Sequence, residues 1–310
     1  MTLADLPAIE LQNVTRRFGR ATVVDNVNMA IARGTTCGLI GLNGAGKTTA
    51  IRMLMGLLAP TSGLIRVDGR VMPDQRDDAK RSIGYVPDRP TIYPWMTGER
   101  AIAFCAAMYG KQWDHALVDG LTKSLRLDLS KPLKHLSKGS AAKLQLLLAV
   151  GHNPNVLVLD EPTSGFDVLA RDEFLEGILT VNSTGTEGKP RTILFSSHAL
   201  ADVQRLVDTV AIIHQGKLLL HEPIDGLLRQ TKRIRAVIDV AEPTTIAPPG
   251  TVRQSRVGRE WTVTVKNFSA DQVEFIRGKN RVTQLDVQDL TLDEVFRDYV
   301  RPGDEIVTAS

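Results

Sequence analysis

Gly41-Leu42-Asn43-Gly44-Ala45-Gly46-Lys47-Thr48 follows an apolar run and precedes a stretch with helical spacing. Glycines let a backbone wrap closely around an anion without side-chain clash. The wrapped amides and the N-terminus of the following helix form a positive concavity suited to phosphate oxygens. The pattern G-x-x-x-x-G-K-[ST] assigns Lys47 to the outer phosphates and the Thr48 hydroxyl to Mg²⁺, with the amides through Thr49 completing the cradle. A Gly-rich turn without a ligand is the plainer alternative, and the flanking strand and helix weigh against it.

A second chemical pair stands at the end of Val156-Leu157-Val158-Leu159-Asp160-Glu161. A continuous apolar run of this length suits a strand buried on both faces of a parallel sheet. Asp160 is then placed to hold Mg²⁺ through oxygen, the ligand atom that hard cations prefer. Glu161, one residue on, faces another direction and is suited to polarise an attacking water. Acids often follow strands for no catalytic reason; the phosphate loop elsewhere in the chain favours the chemical reading.

These residues need a frame. Apolar runs such as IELQNV, VVDNVNMAI, CGLIG, LIRVDG, VLVLD, TILFSS and VAIIHQGKLLL read as strands, and 48–57, 98–109 and 140–150 have helical spacing. Strands alternating with helices predict an α/β architecture with a parallel central sheet. CGLIG, VLVLD and TILFSS stop at the glycine loop, at Asp160–Glu161 and at His198. Ligands gather at the carboxyl ends of strands in open α/β sheets, so three separated segments imply one pocket. Beyond Gln230 the composition changes: IRAVIDV, the Pro-rich AEPTTIAPPG and the alternating WTVTV predict a small strand-rich second domain over 232–300. The segment TLDEVFRDYV has helical spacing, with Leu292, Val295, Phe296 and Tyr299 on one side, and the last ten residues read as frayed.

Composition narrows the class. The chain has 310 residues, a formal net charge of +3, 24% charged and 43% hydrophobic residues. This excludes a disordered chain and gives no support to bulk electrostatic binding of nucleic acid. No apolar run is long enough to span a bilayer, and the acidic start MTLADLPAIE does not read as a secretory signal. Cys37 and Cys105 are too few for a disulfide framework or a thiolate zinc site, which points to a reducing cytosol. His115, His135, His152, His214 and His221 show no metal-ligand spacing.

Taken in order, the motifs resemble the ATP-binding subunits of ABC transporters over residues 8–224. Pro162-Thr163-Ser164-Gly165-Phe166-Asp167 resembles the family's D-loop, with Asp167 as its aspartate. Ser196-Ser197-His198 is similar to the switch-histidine segment, and Phe18 matches the aromatic that stacks on adenine. Leu136-Ser137-Lys138-Gly139-Ser140 stands where the LSGGQ signature belongs, with Ser137 and Gly139 retained and Lys138 and Ser140 departing. A further departure is Asp88 in Gly84-Tyr85-Val86-Pro87-Asp88-Arg89-Pro90, where the family places glutamine. Aspartate is still a competent Mg²⁺ ligand; a plain turn residue is the other reading.

The resemblance implies a fold and an activity. The fold is a P-loop NTPase core with a mixed, mainly parallel sheet and an N-terminal antiparallel β portion. A helical subdomain spans about 88–155, and the ATPase domain as a whole spans 8–228. The activity is ATP hydrolysis, with ATP and Mg²⁺ as ligands. His198 would sense the γ-phosphate, and Ser137 and Gly139 would meet the nucleotide of a second ATPase subunit, identical or different. A transmembrane permease would be the other partner, with the chain peripheral on the cytoplasmic face of the membrane. Tyr93-Pro94-Trp95-Met96 reads as a contact surface for that partner or as subdomain core. The acidic-aromatic tail is similar to those serving exporters. Soluble ABC ATPases acting on DNA or ribosomes are disfavoured: Lys47 to Leu136 leaves no room for a coiled-coil arm, and only one ATPase unit is present.

Overall fold

The computed structural model describes residues 6–89, 92–185, 189–239, 247–279, 281–301 and 304–307. The first five residues, Pro90 and part of the Pro-rich stretch (240–246) lie outside them. The chain divides into two compact units, Met1–His221 and Glu222–Ser310.

In the first unit, β1 (Ile9–Phe18), β2 (Ala21–Ile31), β4 (Ser62–Val67) and β5 (Arg70–Met72) form an antiparallel sheet in the order β2-β1-β4-β5. Ile9, Leu11 and Val14 of β1 are buried while Gln12 and Asn13 are exposed, as expected of a sheet with one face on the core. The second sheet is larger. It joins β3 (Thr36–Ile40), β6 (Ile83–Val86), β7 (Val156–Asp160), β8 (Thr192–Ser197), β9 (Thr209–His214) and β10 (Lys217–Pro223) in the order β10-β9-β3-β8-β7-β6. From β9 to β6 neighbouring strands run parallel. All residues of β3, β7 and β8 are buried, because layers cover both faces of the sheet. The run VAIIHQGKLLL is two strands: Gln215 and Gly216 both have positive φ and turn β9 back into β10.

Helix α1 (Lys47–Leu54) follows β3 and packs against β2, β4 and β7. After the short α2 (Arg76–Ala79), helices α3 (Gly98–Tyr109), α4 (His115–Ser124) and α5 (Lys138–Val150) build the helical subdomain. Helix α5 is buried along most of its length and packs on β6 and on α6 (Val168–Ser183); α7 (Leu200–Leu206) lies beside β3 and β8. Gly151 ends α5 under the Trp113 ring. A Cβ there would lie 2.3 Å from a ring carbon, so only glycine fits.

Arg191, just before β8, is 1% exposed and acts as a tie between segments. Its guanidinium donates to Pro154 O (2.7 Å), Thr184 O (3.0 Å), Asn153 Oδ1 (3.0 Å) and Val181 O (3.3 Å). It thereby joins the end of α6 to the turn that precedes β7. Burial lowers its pKa to about 10, partly offset by Asp114.

His152 follows α5 and is 1% exposed, with Nε2 bonded to Ile83 O (3.2 Å) and its ring stacked on Tyr109 at 4.0 Å. Burial lowers its pKa from 6.5 to about 4. The unfolded chain therefore takes up this proton first, and stability falls as pH drops from 6.5 towards 4. A loss of about 3 kcal/mol over that window is expected from this group. Urea unfolding of wild type and His152→Gln at pH 7 and pH 4.5 checks it: the variant's pH dependence should be the flatter.

In the second unit, α8 (Ile224–Gln230) precedes a sheet of β11 (Lys232–Ile238), β12 (Thr251–Val257), β13 (Glu260–Val265), β14 (Val282–Asp289) and β15 (Asp304–Val307), ordered β14-β11-β13-β12-β15. Ile234, Ala236, Trp261, Val263 and Val265 form its core with Ile276 of α9 (Ala270–Lys279). The TLDEVFRDYV segment forms α10 (Leu292–Val300), opened by a Thr291–Glu294 capping box. Leu292, Val295 and Phe296 are buried as their spacing predicts, and Tyr299 is half-buried. Asp298 is buried too, held by Arg233 (2.9 Å), Arg253 (3.3 Å) and Thr264 (2.6 Å). The expectation of a frayed tail is corrected at Asp304–Val307, which pair in parallel with β12; residues 302, 303 and 308–310 lie outside the described residues.

Candidate functional site

Strands β3, β8 and β7 are neighbours, so the segments after them meet at one end of the sheet. A cleft of about 520 Å³ opens there, lined by residues 42–49 with Val23, Asp88, Glu161, Ser164 and His198. The glycine loop owes its path to close approaches. Gly46 has φ +105°, and a Cβ on it would stand 2.7 Å from Val23 O; one on Gly41 would stand 2.4 Å from Ile213 O. Lys47 opens α1 and is 6% exposed. Its Nζ donates to Gly41 O (2.7 Å) and lies 3.1 Å from Glu161 Oε1.

Asp160 ends β7 and is 1% exposed, behind the cleft wall. Its Oδ1 accepts from Ser196 Oγ (2.9 Å) and from the Thr48 hydroxyl (3.4 Å). Burial raises its pKa, while those two hydrogen bonds lower it. Glu161 turns away through a left-handed backbone conformation, φ +48°. Its amide donates to Ser196 Oγ (2.9 Å), and its Oε2 lies 2.6 Å from His198 Nδ1. One carboxylate thus faces the hydroxyl of α1 and the other faces a lysine and a histidine.

Among the described residues no group of three or more His, Cys, Asp or Glu side chains is arranged to hold a metal by itself. Mg²⁺ seldom uses such a cage; it takes one or two carboxylates, water and substrate phosphates. The hydroxyl of Thr48 beside Asp160, with Asp88 on the cleft wall, is an oxygen donor set of that kind.

The other expected residues lie apart from the cleft lining. Phe18 ends β1, 47% exposed, with the Arg16 guanidinium over its ring at 4.5 Å. Ser137 caps α5, accepting from Ser140 N (3.1 Å), and Asp167 caps α6, accepting from Ala170 N (2.8 Å). Both are exposed. Gly139 lets α5 approach α6, since a Cβ on it would stand 3.0 Å from Ala170 Cβ. Lys138 is exposed and leans towards Gly165. Sequence reasoning missed Val23 and Ser164 in the lining, and it missed the link that Ser196 makes between the two acids. A serine at the end of an apolar strand, level with another strand's carboxylate, is the signal that carried it.

A second cavity, of about 320 Å³, lies between β6 and the helical subdomain. Ile83, Tyr85 and Pro87 form one wall, with Met55 from just past α1, and Phe104, Cys105 and Tyr109 of α3 form another. Gln145, Leu148, Ala149 and His152 line it from the α5 side. Tyr93 and Trp95, stacked at 5.6 Å, are 62% and 59% exposed at its edge, and Met108 of α3 is exposed as well. Tyr85 stands on the wall of this cavity, where burial, aided by the Asp160 carboxylate, pushes its hydroxyl up to about 12.

A glycine loop on an α/β sheet, a strand-end carboxylate pair and an inserted helical subdomain define a nucleotide-binding P-loop protein. The family model for ABC transporters matches residues 24–164. The chain is 34% identical to the bacitracin transport ATP-binding protein BcrA of Bacillus licheniformis, covering 73% of this chain and 72% of that one. It is also 34% identical to the Nod factor export ATP-binding protein I of Burkholderia lata, covering 67% and 68%. A solved ATP-binding subunit of an ABC transporter superposes with a TM-score of 0.63 at 30% identity, covering 72% of this chain and 92% of that one. The chain belongs to the family of ABC transporter ATP-binding subunits.

Proposed function

We propose that the chain binds and hydrolyses ATP with Mg²⁺ and, paired with a second ATPase subunit, drives a separate membrane permease that exports its substrate. The convergence of Lys47, the Thr48–Asp160 contact and the Glu161–His198 contact on one cleft carries this reading. Residues 41–49 cradle the phosphates, Lys47 neutralises the outer ones, and Phe18 stacks on the adenine. Thr48, Asp160 and Asp88 hold Mg²⁺, which draws charge from the phosphate oxygens when bound. Glu161 accepts a proton from the attacking water as its oxygen bonds to the γ-phosphorus and the bridging bond to ADP breaks. His198 orients Glu161 and donates to the γ-phosphate. Ser137 and Gly139 meet the nucleotide of the second subunit, beside Asp167, so ATP closes the pair and its loss reopens it.

The apolar cavity beside β6, with its exposed aromatics, receives the permease from the cytoplasmic face of the membrane. No helix among the described residues is long and apolar enough to cross a membrane, so the transport path belongs to that partner. The relative named for Nod factor export supports the direction. The domain limits that accompany this reading are 8–228 for the ATPase, with 88–155 as its helical subdomain, and 232–300 for an accessory domain.

A tagged Glu161→Gln chain, held with ATP and Mg²⁺ and purified from solubilised native membranes, tests the proposal. Mass spectrometry should find a polytopic membrane protein in amounts comparable to the bait. Recovery of ribosomal or nucleic-acid proteins alone, or of nothing, with the variant dimeric, would overturn it.

A further inference from the structure

Where the carboxylate of Glu161 points depends on the backbone that carries it. Residue 161 leaves β7 with φ +48°, a left-handed conformation that a non-glycine residue holds only when its surroundings fix it. On one side Ser196 Oγ accepts the Glu161 amide. On the other side the chain closes a turn, with Ser164 N donating to Glu161 O at 3.1 Å. Thr163 lies buried inside that turn, and its hydroxyl donates to Asp202 Oδ2 at 3.0 Å.

Asp202 stands four residues after His198, in the first turn of α7, and is 2% exposed. An acid in the first turn of a helix is ordinarily accounted for by the helix dipole. That benefit is available at the surface, whereas burying a carboxylate is costly unless polar groups meet it. The groups that meet this one come from the chain that follows Glu161: the Thr163 hydroxyl, and Arg171 Nε of α6 at 3.7 Å. Valine and leucine at positions 163 and 202 would join the same two segments by apolar contact, beside the buried Leu200, Val203 and Leu206. Apolar contact has no preferred direction; a hydrogen bond fixes both distance and direction. What needs such fixing is the 2.6 Å approach of Glu161 Oε2 to His198 Nδ1, made by the same two segments.

We propose that Thr163 and Asp202 are positioning residues for ATP hydrolysis. Their hydrogen bond holds the segment after β7 against the segment after β8, so that Glu161 and His198 face one point of the cleft. Neither Thr163 nor Asp202 is among the residues that line the cleft, so the pair acts through Glu161 and leaves nucleotide binding alone. The inference rests on Glu161 being the base, as proposed above.

Steady-state phosphate release by the full chain tests this. Thr163→Val removes the hydroxyl and keeps the branched shape. Its kcat should fall about tenfold while KM for ATP stays within about twofold, as expected of a base held slightly out of place. Thr163→Ser restores the donor and should return kcat to within about twofold of wild type. Asp202→Leu removes the acceptor and should match Thr163→Val, and the two together should cost no more than either alone. In a Glu161→Gln chain, Thr163→Val should leave the residual rate unchanged, because no base is left to misplace. Wild-type kcat in Thr163→Val and Asp202→Leu, with only a lower melting temperature, would overturn the inference. A raised KM at constant kcat, or a further tenfold fall in the Glu161→Gln chain, would overturn it as well. Wild-type turnover by Glu161→Gln alone would instead overturn the assignment of the base.

Discussion

Glu161→Gln should slow ATP turnover by about 10²–10⁴-fold while nucleotide still binds, the range ascribed to a positioned general base. The substitution keeps the size of the side chain: the carboxamide oxygen can still accept from Lys47 Nζ, now 3.1 Å from Oε1, while the NH2 takes the place of the oxygen 2.6 Å from His198 Nδ1. What it removes is the ability to take a proton. Glutamine also tolerates the φ of +48° that residue 161 adopts, so the loop after β7 need not move. Phosphate release and ATP affinity, measured on the same preparation, separate the outcomes. A rate within a few-fold of wild type would remove Glu161 from the reaction, and a loss of binding would make it a ligand-holding residue instead.

The second large effect is on stability. Arg191→Met should destabilise the first unit by about 2–5 kcal/mol, because the carbonyls of Pro154 and Thr184 would lose buried donors. Val181 O retains the amide of Thr184, so it contributes less. Arg191→Lys should rescue little, since an ammonium cannot span acceptors on both the α6 end and the turn before β7 as a planar fork does. Urea midpoints for the three proteins measure this. A shift below about 0.5 kcal/mol in Arg191→Met, the range of an ordinary surface change, would show that the tie is dispensable.

Much of the frame could be read from residue order because β3, β7 and β8 are unbroken apolar runs, the pattern of strands covered on both faces. Their ends carry the polar residues, so one cleft follows once the three are neighbours. The turn inside VAIIHQGKLLL is legible too, as a glycine among the polar His214, Gln215 and Lys217. Other features are silent in a linear reading. β6 has four residues, too short for periodicity to register. Gln145 looks like the polar face of an amphipathic helix, yet it is buried because α5 is covered nearly all round. The cavity it lines draws on β6, α3, α5 and the end of α1, and no local pattern encodes a meeting of four elements. Phe18 is flagged by motif alone; that Arg16 covers one side of its ring is a matter of β1 geometry.

β6 has a neighbour on one side only, as the last strand of its sheet. Ile83, Tyr85 and Pro87 touch the apolar cavity, and Asp88, next along the chain, touches the phosphate cleft. A central strand such as β3 is clamped by two ladders, and sliding it would break both. β6, like β10 at the opposite edge, is held by one ladder, and it is the edge strand whose segment reaches both cavities. A shift of β6 along β7 would therefore move residues of both cavities together, Tyr85 in one and Asp88 in the other.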